Sequence, residues 1–144
     1  RFADCSFDAT YPFGRVNLSD PRVPVTIKLT AFNPLIPGDV SASSIPVAVL
    51  RYRVKNTSKT KVTSTLCGSV PNFIGLDGSQ SIECDRRNRF RKGKGFQSIL
   101  MDSTDINPLA MQAGSIALTT LSLGDEIFLE RDELDTIMVE TDAY

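Results

Sequence analysis

Histidine is absent from this 144-residue chain, and with it the usual general base of serine and cysteine nucleophile systems and the commonest zinc ligand. Most hydrolase triads are thereby excluded within it. Tryptophan is absent too, which weighs against a self-sufficient sugar-binding module built on exposed indoles, although Tyr11, Tyr52 and several phenylalanines can offer stacking faces. No apolar run approaches the roughly 20 residues that a membrane-spanning helix needs. Three cysteines, Cys5, Cys67 and Cys84, are too few and too widely spaced for a disulfide framework or a CxxC metal pair. Buried free thiols are expected instead. The chain begins at Arg1 without methionine and without an apolar signal segment, which reads as a processed or excised polypeptide and leaves export open.

What is present has the balance of an ordinary soluble protein, 41% hydrophobic and 23% charged. The length suits a single domain, or part of one, burying about 70% of its unfolded surface. The organising stretch runs from Val25 to Asn56. Its first run alternates, with Val25, Ile27, Leu29 and Ala31 on one face and Thr26, Lys28 and Thr30 on the other, the period of a half-buried strand. A second run from Pro46 to Asn56 puts Ala48, Leu50, Tyr52 and Val54 on one face against Arg51, Arg53 and Lys55. Between them Asn33-Pro34, Ile36-Pro37-Gly38-Asp39 and Ile45-Pro46 make a stiff, turn-rich connection.

Upstream, apolar pieces from Phe2 to Leu18 read as two brief strands around a turn at Tyr11-Pro12-Phe13-Gly14, broken by Ser19-Asp20-Pro21. Downstream, Thr57 to Lys61 is a polar turn into a third strand, Val62 to Gly68, expected to pair as a hairpin with the second. Phe96 to Met101 and Ser115 to Leu121 also read as strands, and Leu109 to Gln112 as one helical turn. Ile127-Phe128-Leu129 and Ile137-Met138-Val139 suggest two last strands around Arg131-Asp132-Glu133. Eight or nine short apolar runs between turn signals predict an all-β chain, an antiparallel two-sheet β-sandwich with little or no helix.

Charge is unevenly spread. Residues 125 to 142 hold eight acids (Asp125, Glu126, Glu130, Asp132, Glu133, Asp135, Glu140 and Asp142) against Arg131 alone, a net −7 in a chain whose total is −1, which leaves +6 elsewhere. Much of that lies in Arg86 to Gly95, where dense cations and two glycines predict a solvated loop that compensates the tail or meets a partner. Glu126, Glu130, Glu133, Asp135 and Glu140 are nominal candidates for acid-base chemistry, but acids this dense usually form a solvated face. A nucleic-acid interface is not expected, because Phe90 is the only aromatic in the basic run and the sequence pI is near 5.4. Lys92-Gly93-Lys94-Gly95 lacks P-loop spacing. Asn17-Leu18-Ser19 and Asn56-Thr57-Ser58 match the glycosylation sequon.

The series Leu29-Thr30-Ala31-Phe32-Asn33-Pro34-Leu35-Ile36-Pro37, then Ser43-Ser44-Ile45-Pro46-Val47-Ala48 and Val54-Lys55-Asn56-Thr57, resembles the N-terminal domain of glycoside hydrolase family 116. That family holds β-glucosidases and non-lysosomal glucosylceramidase. Gly114 to Leu121 looks like a later strand of the same domain. The resemblance implies a supersandwich-like two-sheet domain packed on an (α/α)6 helical catalytic domain, with carbohydrate reached through that parent enzyme. It also implies that both catalytic carboxylates, a glutamate and an aspartate, lie in the helical domain. No catalytic, cofactor-binding or metal-binding residue is therefore expected in this chain, and no cofactor. A bracing role for the helical domain follows. The alternatives are a free-standing carbohydrate-binding sandwich and a structural assembly module.

Overall fold

The computed structural model describes residues 1–76 and 83–121, together with the course of two later strands, Ile127–Leu129 and Thr136–Ala143. The chain divides into two compact units, the first built from Arg1–Val62 and the second from Thr63–Asp142. The first begins with strands β1 (Asp4–Thr10) and β2 (Phe13–Ser19), a hairpin closed by Tyr11-Pro12 through a cis peptide bond. After a turn at Asp20 come β3 (Val25–Phe32), the single helical turn α1 (Val40–Ser43) and β4 (Val49–Asn56). The four strands form one antiparallel sheet in the order β1-β2-β3-β4.

Register shows why the sequence alternates as it does. Phe7, Val16, Leu29 and Tyr52 stand opposite one another across the sheet, and the flanking rows are Cys5, Leu18, Ile27, Val54 and Ala9, Gly14, Ala31, Leu50. This is the apolar face that the period of two picks out in β3 and β4. Here the Phe7 ring fills the gap over Gly14, where an added Cβ would sit 3.5 Å from the ring. The opposite face carries Asp8, Arg15, Thr30, Arg51 and Ser6, Asn17, Lys28, Arg53. At its end Phe13 and Phe32 meet edge to face at 5.4 Å, with the Arg15 guanidinium 5.7 Å from the Phe13 ring centre. β4 starts at Val49 rather than at Pro46, because Pro46 has no N–H to give a ladder and Val47 donates locally to the Ile45 carbonyl at 2.8 Å.

The second unit contains β5 (Val62–Ser69), β6 (Arg86–Gly93), β7 (Phe96–Ser103), β8 (Ile116–Leu121), β9 (Ile127–Leu129) and β10 (Thr136–Ala143). They make two three-stranded sheets, β6-β7-β8 and β5-β10-β9. Ile99 and Met101 are wholly buried at its centre, with Val70, Ile116 and Leu118 packed against them. Leu118 also reaches to 3.8 Å from the Cβ position of Gly68, so β5 lies against the β7-β8 side of this core. The antiparallel all-β class with little helix, read from the sequence, is the one observed.

Four local expectations are corrected. β5 does not pair with β4 as a hairpin; its neighbour is β10. Asn56 closes the intervening turn on itself, its amide donating to the Thr60 carbonyl at 2.7 Å and its oxygen accepting from the Ser58 N–H at 2.8 Å. A closed turn of this kind serves a hairpin or a change of sheet equally well. Nor is Arg86 to Gly95 a loop: Arg86–Gly93 is strand β6, and only Lys94-Gly95 turns, with Gly95 at φ +79°. Arg87, Arg89 and Arg91 alternate with the half-buried Phe90, and Asp102 on β7 binds Arg87 at 3.2 Å and also Arg89, so pairing disperses the charge. Asn72 ties the same place together, donating to the carbonyls of Arg87 and Asp102.

Leu109 to Gln112 forms consecutive turns rather than a helical turn, begun by the Asn107 side chain accepting from the Leu109 N–H at 3.0 Å. Such capping competes with helix at its first residue. The thiols are free, but Cys5 and Cys67 are exposed and only Cys84 is half-buried, its Sγ near the Ile74 carbonyl. Cys5 sits on β1, an edge strand, and Cys67 on the outer side of β5's alternation, so neither reaches a core. The turns at Asp77-Gly78 and Arg131-Asp132-Glu133 lie outside the described residues.

Candidate functional site

The long connection between β3 and β4 leaves the sheet at the end where Thr10, Phe13, Phe32 and Val49 stand in one row. Its fold follows from its prolines and small polar residues. Pro37 and Gly38 occupy the centre of a tight turn in which the Asp39 N–H donates to the Ile36 carbonyl at 3.0 Å, and Gly38 takes φ +87°, a conformation that favours glycine. Asp39 then caps α1, its Oδ1 accepting from the Ala42 N–H at 2.9 Å. Ser43 folds back across the loop. Its hydroxyl accepts from the Ile36 N–H and donates to the Ile36 carbonyl, each at 3.0 Å. The Ser44 hydroxyl donates to the Val40 carbonyl.

These bonds run within the loop, and its apolar side chains are exposed. Ile36 is 56% exposed and Val40 79% exposed, and Leu35, Ile45 and Val47 are exposed as well. Tyr11, 75% exposed at the tip of the β1-β2 hairpin, joins Leu35, Ile36, Pro37, Gly38 and Val40 around a shallow depression of about 330 Å³. A loop ordered within itself yet apolar on its outer side has the composition of an interaction surface rather than of solvent-facing chain. The sequence marks the loop's stiffness through its prolines; the clasp by Ser43, seven residues from Ile36, carries no sequence signal of its own.

Asp20 and Asp105 are held in structural hydrogen bonds. Asp20 is almost wholly buried and accepts four hydrogen bonds: from the Ala3 N–H at 3.1 Å, from the Arg22 N–H at 2.9 Å, and from Arg22 Nε and Nη2 at 3.0 and 2.9 Å. The Arg22 side chain, helped by the two N–H groups and opposed by burial, holds its pKa down at about 2. Asp105 is likewise held below the usual range by the Asp85 N–H and, less, by the Ser103 hydroxyl. A general acid needs the opposite shift. Of the acids named from the sequence, Glu126, Glu130, Glu133 and Asp135 lie outside the described residues, and Glu140 is on β10. Among the described residues no three metal-ligating side chains cluster, and no helix is long and apolar enough to cross a membrane.

Asp20 is the residue that sequence reasoning undervalued. Asp-Pro announces a turn, but only the fold brings the Ala3 N–H to its carboxylate.

A comparison with curated proteins finds none that matches. The family model described as beta-glucosidase 2, glycosyl-hydrolase family 116 N-term matches residues 1–140, nearly the whole chain. With so nearly complete a match, the chain belongs to the glycosyl-hydrolase family 116 N-terminal domain family.

Proposed function

We propose that this chain is a non-catalytic N-terminal portion of a larger β-glycosidase, bracing an (α/α)6 helical catalytic domain and shaping the rim of its active site. The observation that carries the reading is the Asn33–Val47 connection, whose hydrogen bonds close within the loop while Ile36 and Val40 face outward. Ordered before any partner arrives, such a loop loses little conformational freedom on docking. The catalytic carboxylates then belong to the partner domain, and this chain contributes shape and stability.

The test is a calorimetric titration of this chain against the separately produced remainder of its parent enzyme, using wild type and the Ile36→Asp/Val40→Asp variant. Burying two aliphatic side chains from this degree of exposure is worth about 2 to 4 kcal/mol together, so the variant should bind at least tenfold more weakly. Its own unfolding should be unchanged. Equal affinity for both forms, or no binding by wild type, overturns the bracing role.

The exposed Tyr11 beside the depression favours one rival, a free-standing carbohydrate-binding module. Titration with β-glucosides separates them, because bracing requires no measurable affinity for free sugar.

A further inference from the structure

The polar face of the β1-β4 sheet concentrates cations where cross-strand pairing makes them repel. Lys28 on β3 stands directly opposite Arg53 on β4, and Lys55 follows one row on, opposite Thr26. Like charges in direct opposition destabilise a sheet. Four cations among the described residues are answered by acids, Arg15 by Asp8, Arg22 by Asp20, and Arg87 and Arg89 by Asp102. Lys28, Arg53 and Lys55 have no acidic partner among the described residues. The nearest carboxylate on these rows, Asp4 on β1, faces Ser19 on β2 and so lies two strands, about 10 Å, from β3.

Edge protection explains part of this pattern. β4 is an outer strand of its sheet, and Arg51, Arg53 and Lys55 would discourage another chain from pairing there. It does not explain Lys28, which sits on an inner strand and only adds to the repulsion. The three cations also line one depression of about 370 Å³, together with Asn17, Leu18, Ser19, Thr26 and Ile27.

We propose that this depression binds a tetrahedral oxyanion, the phosphate or sulfate group of an esterified ligand. The chemistry selects that class. An arginine fork takes two oxygens, two lysines act as point charges, and the hydroxyls of Ser19 and Thr26 supply neutral donors. A tetrahedral ester group with three free oxygens, doubly charged in a phosphate monoester and singly charged in a sulfate ester, can meet donors from three strands and offset the Lys28–Arg53 repulsion. A singly charged planar carboxylate has too few acceptors in one plane to do so.

The experiment follows backbone amide NMR signals of the 144-residue chain while inorganic phosphate, sulfate or chloride is added at matched ionic strength. Phosphate and sulfate should give saturable shifts confined to residues 17–19, 26–28 and 53–55, and chloride should not. Lys28→Met should weaken phosphate binding about fivefold, the value of one exposed charge contact, and Lys28→Met with Arg53→Gln should abolish it. Arg15→Gln, a cation on the same face already paired with Asp8, should leave binding unchanged and serves as the folding control. Phosphatidylcholine vesicles with and without phosphatidic acid identify the source: much tighter capture by the doped vesicles than by free phosphate assigns a lipid headgroup, and no capture assigns a soluble ester. Shifts that chloride reproduces, or binding undiminished in Lys28→Met, overturn the site.

Discussion

Replacing Ile99 by alanine tests both the core and the division of the chain. Ile99 is fully buried on β7, the middle strand of its sheet, with Phe90 and Leu118 opposite it on the two neighbouring strands. The change removes three carbons, worth about 2.4 kcal/mol at roughly 0.8 kcal/mol for each buried methylene. Two hydrogen-bonded neighbours restrain collapse of the cavity, although Met101, unbranched and adaptable, can fill part of it. The expected loss is about 3 kcal/mol, inside the range of such truncations.

Urea denaturation followed by circular dichroism measures that loss. Amide exchange then locates it: protection in β6, β7 and β8 should fall about a hundredfold while β1 to β4 keep theirs, because Ile99 belongs to the second unit. Leu109→Ala, at a residue 92% exposed, should stay within about 0.5 kcal/mol of wild type. A loss below about 1 kcal/mol would refute the core assignment. An equal loss of protection in β3 would show that the two units unfold as one.

Gly38→Ala tests the loop itself. No neighbouring atom lies within 4 Å of the added methyl, so the loss is the backbone strain of φ +87° alone, about 1 to 2 kcal/mol, seen as faster exchange of the Asp39 and Ala42 amides. Acid should unclasp Asp20. Its pKa is lowered from 3.8 to about 2 in the folded chain, so its contribution is fully present above the unfolded value and is lost as pH falls from near 4 through 2. NMR titration of the carboxyl should find the low value in wild type, and Asp20→Asn should lessen the acid sensitivity; a carboxyl titrating near 4 would sink the clamp.

The sequence by itself determined which residues alternate. Val25, Ile27, Leu29 and Ala31 share a face for the same reason the pattern shows it, since a strand sends successive side chains to opposite sides. Proline punctuation likewise revealed the stiff loop, and the wording of that loop carried the family. What only the tertiary structure decided is partnership. Alternation says nothing about which strand lies alongside, so it cannot tell that β5 lies beside β10 rather than beside β4. A run of arginines looks unfoldable until a carboxylate from β7 stands across from it, as Asp102 does for Arg87 and Arg89. The opposition of Lys28 to Arg53, 25 residues apart in sequence, belongs to the same category. Local chemistry is written in neighbours along the chain, whereas charge pairing and sheet membership are settled by residues that only folding makes adjacent.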